Sequence, residues 1–187
     1  TLFRSAALFA MDGSLVAMAG GPAVAMSSPG PGQTERNMED LWKANVAAIR
    51  AVIAKAGASP DDIAVVSATG HGNGLYLVDA DGRPTFGAVI STDERAEGRV
   101  AKWNEDPAFD ASVRAKTAQS LWPGQPPAIL DWIKRNRPEV LERTRWALLA
   151  SGFVRMRLTG EATANLSDAS GTSIFNVPER RYDRDLL

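Results

Sequence analysis

The chain has 187 residues, and its 21 basic and 22 acidic side chains leave a net charge of −1, which argues against nucleic acid as the main partner. Hydrophobic residues make up 44% and charged residues 23%, the balance of a globular chain, and no apolar run approaches the roughly 18 residues of a membrane span. Cysteine is absent and His71 is the only histidine, which excludes disulfides, cysteine-ligated zinc and two-histidine motifs, and which agrees with a reducing cytoplasm.

The N-terminal part of the chain predicts a β-hairpin followed by a long helix. Residues 2–9 and 14–19 are apolar runs joined by an Asp-Gly turn, which is a strong hairpin signal. A third extended piece is expected over residues 23–27. The helix should begin near Met38, because apolar residues then recur at spacings of three and four, and Gly57 is placed to end it.

The middle of the chain predicts strands, and the second half predicts helices. Residues 63–67 form a short apolar run, as expected of a strand that is buried on both faces. Strands should follow at residues 75–78 and 87–91, before the helical period takes over. This order predicts an α/β fold with a mixed sheet. Four helices are expected, at residues 94–104, 108–119, 126–135 and 139–158.

The most unusual segment is a glycine-rich loop between two predicted strands, Gly70-His71-Gly72-Asn73-Gly74. Its glycines let the backbone approach a ligand closely, and His71 and Asn73 add polar side chains there. The alternative is a tight bend whose histidine is satisfied by the protein itself. The loop matches neither a Walker phosphate loop, which needs a lysine, nor a dinucleotide-binding fingerprint, which needs a helix after it.

Two further segments supply candidate ligand-binding side chains. Asp93 and Arg95 stand where a predicted strand ends and a helix begins. This is the position at which α/β proteins hold ligands, although residues there also serve as helix caps. Trp122 stands beside a Pro-Gly turn, which makes it a candidate ligand-facing aromatic against the default of core packing.

A dense polar stretch follows the last predicted helix, from Thr159 to Thr172. Within it, Asp168 has the chemistry of a general base or a metal ligand. Serine, aspartate and asparagine also favour helix starts. The stretch therefore has an equally good interpretation as a capping segment.

Four stretches of the chain carry a resemblance to a known family: residues 1–9 with 11–13, Pro31-Gly32-Gln33-Thr34-Glu35 before Leu41-Trp42, residues 63–79 with 88–95, and Leu158-Thr159-Gly160-Glu161 with residues 167–172. Together they resemble the N-terminal domain of the FGGY carbohydrate kinases, over almost the whole chain. The last stretch is the most specific, because it is similar to the sequence around that family's catalytic aspartate. The glycine-rich loop is most similar to that of members acting on pentuloses and sugar alcohols.

The resemblance implies a ribonuclease H-like, actin-like domain in which a mixed sheet is flanked by helices. It implies transfer of the γ-phosphate of ATP to a sugar or polyol hydroxyl, with ATP and Mg²⁺ held mostly outside this chain and Thr1 as a cofactor-binding residue. By position in the family's pattern, the expected substrate-binding residues are His71, Asn73, Asp93 and Arg95, with Trp122 as the candidate aromatic.

The catalytic base is the point at which the sequence departs from the family's pattern. The position of the catalytic carboxylate in better-known members is occupied by Asn165, whose amide cannot accept a proton at neutral pH. In one interpretation Asp168 has taken over as the base, and Asn165 orients the sugar. In the other, Asp168 only caps a helix, and catalysis is weak or lost. We favour Asp168 as the base.

The resemblance also predicts what this chain does alone. The family's phosphate loop would precede Thr1 and its nucleotide-binding domain would follow Leu187, so we expect a fragment that carries the sugar-binding half and is inactive by itself. The expected partner is a small sugar or polyol in the cytoplasm, without nucleic acid or membrane, and the pattern allows a homodimer. A non-catalytic sugar-binding module on the same scaffold is the alternative.

Overall fold

The computed structural model describes residues 5–186, in which helices combine with several small sheets. The predicted hairpin is confirmed, since β1 (Ser5–Phe9) and β2 (Leu15–Gly20) pair antiparallel. Gly13 supplies the positive φ, 86°, that the connecting turn requires. No helix within residues 5–186 has both the length and the apolar character needed to cross a bilayer.

The remaining strands are short, and every strand pair in the described range is antiparallel. They form one three-stranded sheet, in the order β3-β4-β6, and the pairs β5-β7 and β8-β9. A bridge between Leu75 and Val89 links β5 to β6. The strands are β3 (Met26–Ser27), β4 (Glu35–Arg36), β5 (Tyr76–Val78), β6 (Ala88–Val89), β7 (Trp146–Leu148), β8 (Phe175–Asn176) and β9 (Arg181–Tyr182).

The long first helix, α1 (Met38–Ala56), is confirmed, and local capping explains its limits. The Asn37 side chain accepts a hydrogen bond from the Asp40 backbone N–H at 3.0 Å, and Gly57 closes the helix with a φ of 64°. The other helices are α2 (Glu97–Asn104), α3 (Pro107–Thr117), α4 (Pro126–Asn136), α5 (Pro138–Arg143), α6 (Ala150–Thr159) and α7 (Leu166–Ser170).

Three sequence-based expectations are wrong. Residues 63–67 form no strand, and Val65 within them is 80% exposed, because this run has no strand partner among residues 5–186. The third extended piece shrinks from residues 23–27 to β3. The single helix expected over residues 139–158 is two helices separated by β7, because residues 146–148 pair with β5 instead of continuing the helix.

Strand β5 lies at the centre of the core because both of its faces are buried. Successive side chains of a strand point to opposite faces. Tyr76 and Val78 accordingly pack in one cluster with residues of α1 and α6, including Phe153. Leu75 and Leu77 pack in a second cluster with residues of α4 and α5. The glycine-rich loop runs directly into this buried strand and is anchored by it.

Candidate functional site

The glycine-rich loop is held by close contacts with three other segments. Gly74 has a φ of +73°, and a Cβ added there would lie 2.5 Å from the carbonyl oxygen of Val89 in β6. Its N–H donates to the carbonyl oxygen of Gly124 at 2.8 Å. A Cβ on Gly70 would lie 2.8 Å from the Cβ of Ala150, at the start of α6. These glycines therefore let the loop approach other parts of the protein, as a tight bend requires.

Both polar side chains of this loop have properties suited to binding. Asn73 adopts a φ of 66°, and its Oδ1 is buried and accepts no hydrogen bond from residues 5–186. Burial, followed by the charge of Arg36, lowers the pKa of His71, while the nearby Asp168 carboxylate acts in the opposite direction. His71 is therefore neutral at pH 7, with one donor and one acceptor nitrogen.

Trp122 lies beside the glycine-rich loop. Its backbone N–H donates to the side-chain oxygen of Gln125 at 3.0 Å, which shapes the turn before α4. A Cβ on Gly124 would lie 2.4 Å from the Trp122 ring, so the indole covers the peptide that accepts the Gly74 hydrogen bond. The ring is 36% exposed.

Asp168 lies in the first turn of α7 and is fixed by two side chains. Asn165 is the N-cap of this helix, and its Oδ1 accepts from the Asp168 backbone N–H at 2.7 Å. The Asn165 amide donates back to Asp168 Oδ2 at 3.0 Å, and the Ser151 hydroxyl donates to the same oxygen. Within residues 5–186, Oδ1 of Asp168 accepts no hydrogen bond, which leaves it available to a ligand hydroxyl.

Two cavities are lined by neighbouring residues at the start of α6. Leu149 lines one cavity and Ala150 lines the other. The Asp168 cavity measures about 110 Å³, and its walls include Leu75, Leu148, Thr163, Asp168 and Tyr182. The His71 cavity measures about 40 Å³, and its walls include Arg36, Asn45, His71, Tyr76 and Phe153.

Asp93 and Arg95 form a buried ion-pair network with Glu35, and none of the three residues lines either cavity. The Asp93 and Arg95 side chains have zero exposure, and Arg95 Nε donates to Asp93 Oδ1 at 2.7 Å. The Nη2 of Arg95 donates to Glu35 Oε1 at 2.8 Å, and the Cζ of the Arg95 guanidinium lies 4.9 Å from the Trp132 ring centre. Burial works against the charge, yet the hydrogen bonds to both carboxylates raise the pKa of Arg95.

The structure thus brings together some of the predicted site residues. His71, Asn73 and Trp122 share the glycine-rich loop and its neighbouring turn, and Asp168 is joined to them through the start of α6. Of the predicted residues, His71 and Asp168 each line one of the two cavities, whereas Asn73, Trp122, Asp93 and Arg95 line neither. The contact of all these residues with a sugar stays a prediction. Thr1, the predicted cofactor-binding residue, lies outside the described residues.

Sequence reasoning missed three polar residues of this region. Ser151 was hidden inside the predicted helix 139–158, and nothing in its local sequence points to the bond with Asp168. Glu35 and Arg36 form the two-residue strand β4, where alternation sends Glu35 to Arg95 and Arg36 to the His71 cavity. The sequence signal that could have pointed to Glu35 and Arg36 is that they form a charged pair shortly after a Pro-Gly loop.

Comparison with known proteins gives consistent matches over the chain. A family model for the N-terminal domain of the FGGY family of carbohydrate kinases matches residues 1–187. The chain is 33% identical over 156 residues to the L-xylulose/3-keto-L-gulonate kinase of Escherichia coli K12, which covers 83% of this chain. It is 30% identical over 184 residues, 98% of its length, to the probable L-xylulose kinase of Pasteurella multocida.

A solved structure supports the same relationship. The crystal structure of a "xyloylose kinase" from Brucella ovis superposes with a TM-score of 0.85 at 30% identity, covering 98% of this chain and 37% of that protein. The chain spans 31% and 38% of the lengths of the two kinases from Escherichia coli and Pasteurella multocida. This similarity confirms the α/β fold class, a ribonuclease H-like domain of the actin-like type, which the sequence resemblance implied.

Proposed function

The chain belongs to the FGGY family of carbohydrate kinases, and from that membership we propose that its full-length protein transfers the γ-phosphate of ATP to a hydroxyl of a sugar or polyol. The chain contributes the sugar-binding half. Its similarity to proteins named L-xylulose kinases supports a pentulose or a related sugar alcohol as the substrate. The absence of cysteine supports a cytoplasmic location.

The observation that carries this proposal is the Asp168 carboxylate. Ser151 and Asn165 both bind its Oδ2, which fixes the plane of the carboxylate, and Oδ1 accepts no hydrogen bond from residues 5–186. Asp168 lines the larger of the two cavities described above. In the proposed reaction Oδ1 accepts the proton of the attacking sugar hydroxyl, and the hydroxyl oxygen becomes the nucleophile. When bound, ATP supplies the transferred phosphoryl group and Mg²⁺ offsets its negative charge.

Within residues 5–186, no three histidine, aspartate or glutamate side chains cluster closely enough to hold a metal ion. The same range holds Asp93 and Glu35 against Arg95, which takes both carboxylates out of consideration as ligands. We infer from the family membership and the Asp168 carboxylate that this chain binds the sugar, orients it and accepts its proton.

The glycine-rich loop supplies the sugar contacts in this proposal. Asn73 Oδ1 is a buried acceptor that a sugar hydroxyl can satisfy, and neutral His71 can both donate and accept. Trp122, which is 36% exposed and lies on the turn whose Gly124 carbonyl oxygen accepts from Gly74, provides an apolar face against which the C–H side of a sugar packs in this proposal. Asp93 and Arg95 support the strand end from within the core.

A substrate panel on the full-length protein tests the proposed function. ADP release is measured with ATP, Mg²⁺ and each of a set of pentuloses, pentitols and their enantiomers. We expect sugar-dependent ADP release with at least one of them and loss of that activity in Asp168→Asn. Sugar binding without any ADP release across the panel would instead support the non-catalytic sugar-binding module.

A further inference from the structure

A third cavity lies between the helices of the second half of the chain and its last described turn. It measures about 490 Å³, against about 110 Å³ for the Asp168 cavity, and among the described residues the two share only Leu130. A cleft of this volume with apolar walls is in the range that buries another molecule or another segment of chain. The apolar wall residues include Trp103, Phe109, Val113, Leu130, Leu141 and Leu186.

Two polar side chains of this cavity lack a partner among residues 5–186. Ser173 is 1% exposed, and its Oγ is buried without a hydrogen bond. Lys134 lies on the exposed rim and forms no ion pair in that range, whereas the wall residues Asp131 and Asp185 are paired with cations. Because an unpaired buried hydroxyl is destabilising, the occupant should bring a polar group to Ser173, and charge complementarity calls for an acidic group near Lys134.

The last described turn, Arg184–Leu186, is built as the start of a helix. Asp183 before it is 4% exposed, and its Oδ2 accepts from the Asn176 amide at 3.1 Å and pairs with Lys116 Nζ at 3.1 Å. Its Oδ1 accepts from the Asp185 backbone N–H at 3.0 Å, as the side chain of an N-cap does. The position of this turn on α3 is therefore fixed by buried contacts.

Leu186 brings this turn to the cavity. Its side chain packs against the core cluster that contains Val113 and Leu121, and it forms part of the cavity wall. Residues three and four positions apart lie on the same face of a helix, so a continued helix would place its next apolar residues in the cavity. Further chain exists in the relatives, because this chain spans only 31% and 38% of the lengths of the two kinases.

We propose that this cavity is the docking surface for the segment that follows Leu187 in the full-length protein, and that this segment is an amphipathic helix. Its apolar face fills the space between α3 and α4, and its polar groups meet Ser173 and Lys134. A segment of the same chain is favoured over a free ligand or a second copy because it starts at the cavity wall, where its effective concentration is high. Docking there places the beginning of the rest of the protein beside Leu130, which also lines the Asp168 cavity.

Photo-crosslinking in the full-length protein identifies the occupant. Phe109, an aromatic wall residue of α3 that is 37% exposed, is replaced by p-benzoylphenylalanine. The same replacement at Ala115, an exposed position of α3 outside this cavity, is the matched control. We expect the probe at position 109 to crosslink to the same chain within the about 10–14 residues of an average helix after Leu187, and the control to give at least about 10-fold less of this product.

Two tryptophan variants test the docking by competition. Ser112→Trp places a large ring on the cavity wall from an exposed position of α3, and Ala115→Trp adds the same ring to the same helix outside the cavity. Hydrogen exchange in the segment after Leu187 should become at least about 10-fold faster in Ser112→Trp and keep the wild-type rate in Ala115→Trp. Unchanged exchange in α1 shows that both variants keep the fold.

Three outcomes would overturn the proposal. The first is a crosslink from position 109 to a second copy, which a mixture of ordinary and isotope-labelled protein reveals. The second is the absence of any crosslink to the segment after Leu187, and the third is equal exchange in that segment for the two tryptophan variants. If Ser112→Trp does not fold, the crosslink still decides. The proposal is independent of the kinase activity, since a protein without sugar-dependent ADP release would give the same crosslink and exchange.

Discussion

Replacing Asp168 by asparagine separates a catalytic base from a helix cap. Asparagine has the same shape and still accepts hydrogen bonds, but it cannot take a proton from a sugar hydroxyl. If Asp168 is the base, kcat of the full-length enzyme should fall at least about 100-fold, with the sugar dissociation constant nearly unchanged. If Asp168 is only part of the cap, kcat should follow the small change in stability.

The contacts of Asp168 set the size of that stability change. Ser151 and Asn165 both donate to Oδ2, and an amide oxygen at this position can accept from both, so we expect a loss of no more than about 1 kcal/mol. Asn165→Ala, which removes the N-cap itself, should cost about 0.5–2 kcal/mol. A 100-fold fall in kcat corresponds to about 2.7 kcal/mol of barrier, which is more than either structural effect.

The assay combines ADP release, calorimetric sugar binding and urea unfolding for the wild type, Asp168→Asn, Asn165→Ala and Asn165→Asp. The cap variant Asn165→Ala serves as the control for lost stability without a lost carboxylate. Turnover of Asp168→Asn within 10-fold of the wild type would refute the assignment of the base. If Asn165→Asp also accelerated the enzyme, the base would belong at position 165.

Three other expectations follow from the glycine-rich loop. Asn73→Gly keeps the left-handed backbone and should raise the KM for sugar about 5- to 150-fold. This range corresponds to the loss of about 1–3 kcal/mol when one buried hydrogen-bonding group is removed. An unchanged KM in steady-state kinetics would contradict the role of Asn73. Gly74→Ala should lower the free energy of unfolding by at least about 2 kcal/mol, because its Cβ would lie 2.5 Å from the Val89 carbonyl oxygen. The control Gly72→Ala, whose Cβ would have no atom within 4 Å, should change the free energy of unfolding by about 0.5 kcal/mol or less. Equal urea midpoints for the two variants would contradict this prediction. Because the pKa of His71 is lowered, the folded chain binds fewer protons than the unfolded chain just below pH 6.5, so the free energy of unfolding should fall as the pH drops through 6.5. The test is to unfold the wild type and His71→Gln at pH 7.5 and pH 5.5. The loss of stability between the two pH values should differ between the two proteins.

Local signals were sufficient for part of the fold. The limits of α1 are encoded by residues next to it: the Asn37 cap at one end and Gly57 in the left-handed region at the other. The hairpin turn is encoded by its own Asp-Gly dipeptide in the same way. These features could be predicted because their energetic causes lie within a few residues along the chain.

Long-range pairing decided the elements that were predicted wrongly. The helical spacing continues past Arg143, but residues 146–148 pair with β5, and the Arg145 backbone N–H donates to the carbonyl oxygen of Val78 at 2.8 Å. Conversely, the apolar run 63–67 has no strand to pair with in the described range, and apolar character alone does not create one. Neither outcome is encoded near the residues concerned.

The candidate site divides in the same way. His71, Asn73 and Asp168 could be singled out because unusual residues or a family motif mark them in the sequence. The Ser151 hydroxyl and the Arg36 guanidinium could not, since each matters only through a partner or a cavity brought close by folding. The pairing of Arg95 with Glu35 bridges 60 positions of the chain and has no local signature either.

The two-residue strand β4 also bears on how ligand preference can change over evolutionary time. Its neighbouring side chains serve independent purposes: Glu35 holds the core ion pair, and Arg36 faces the cavity. A single codon at position 36 can therefore alter the charge on the wall of that cavity while the backbone register and the buried network stay intact. Such a separation makes this position a natural starting point for directed evolution of substrate choice.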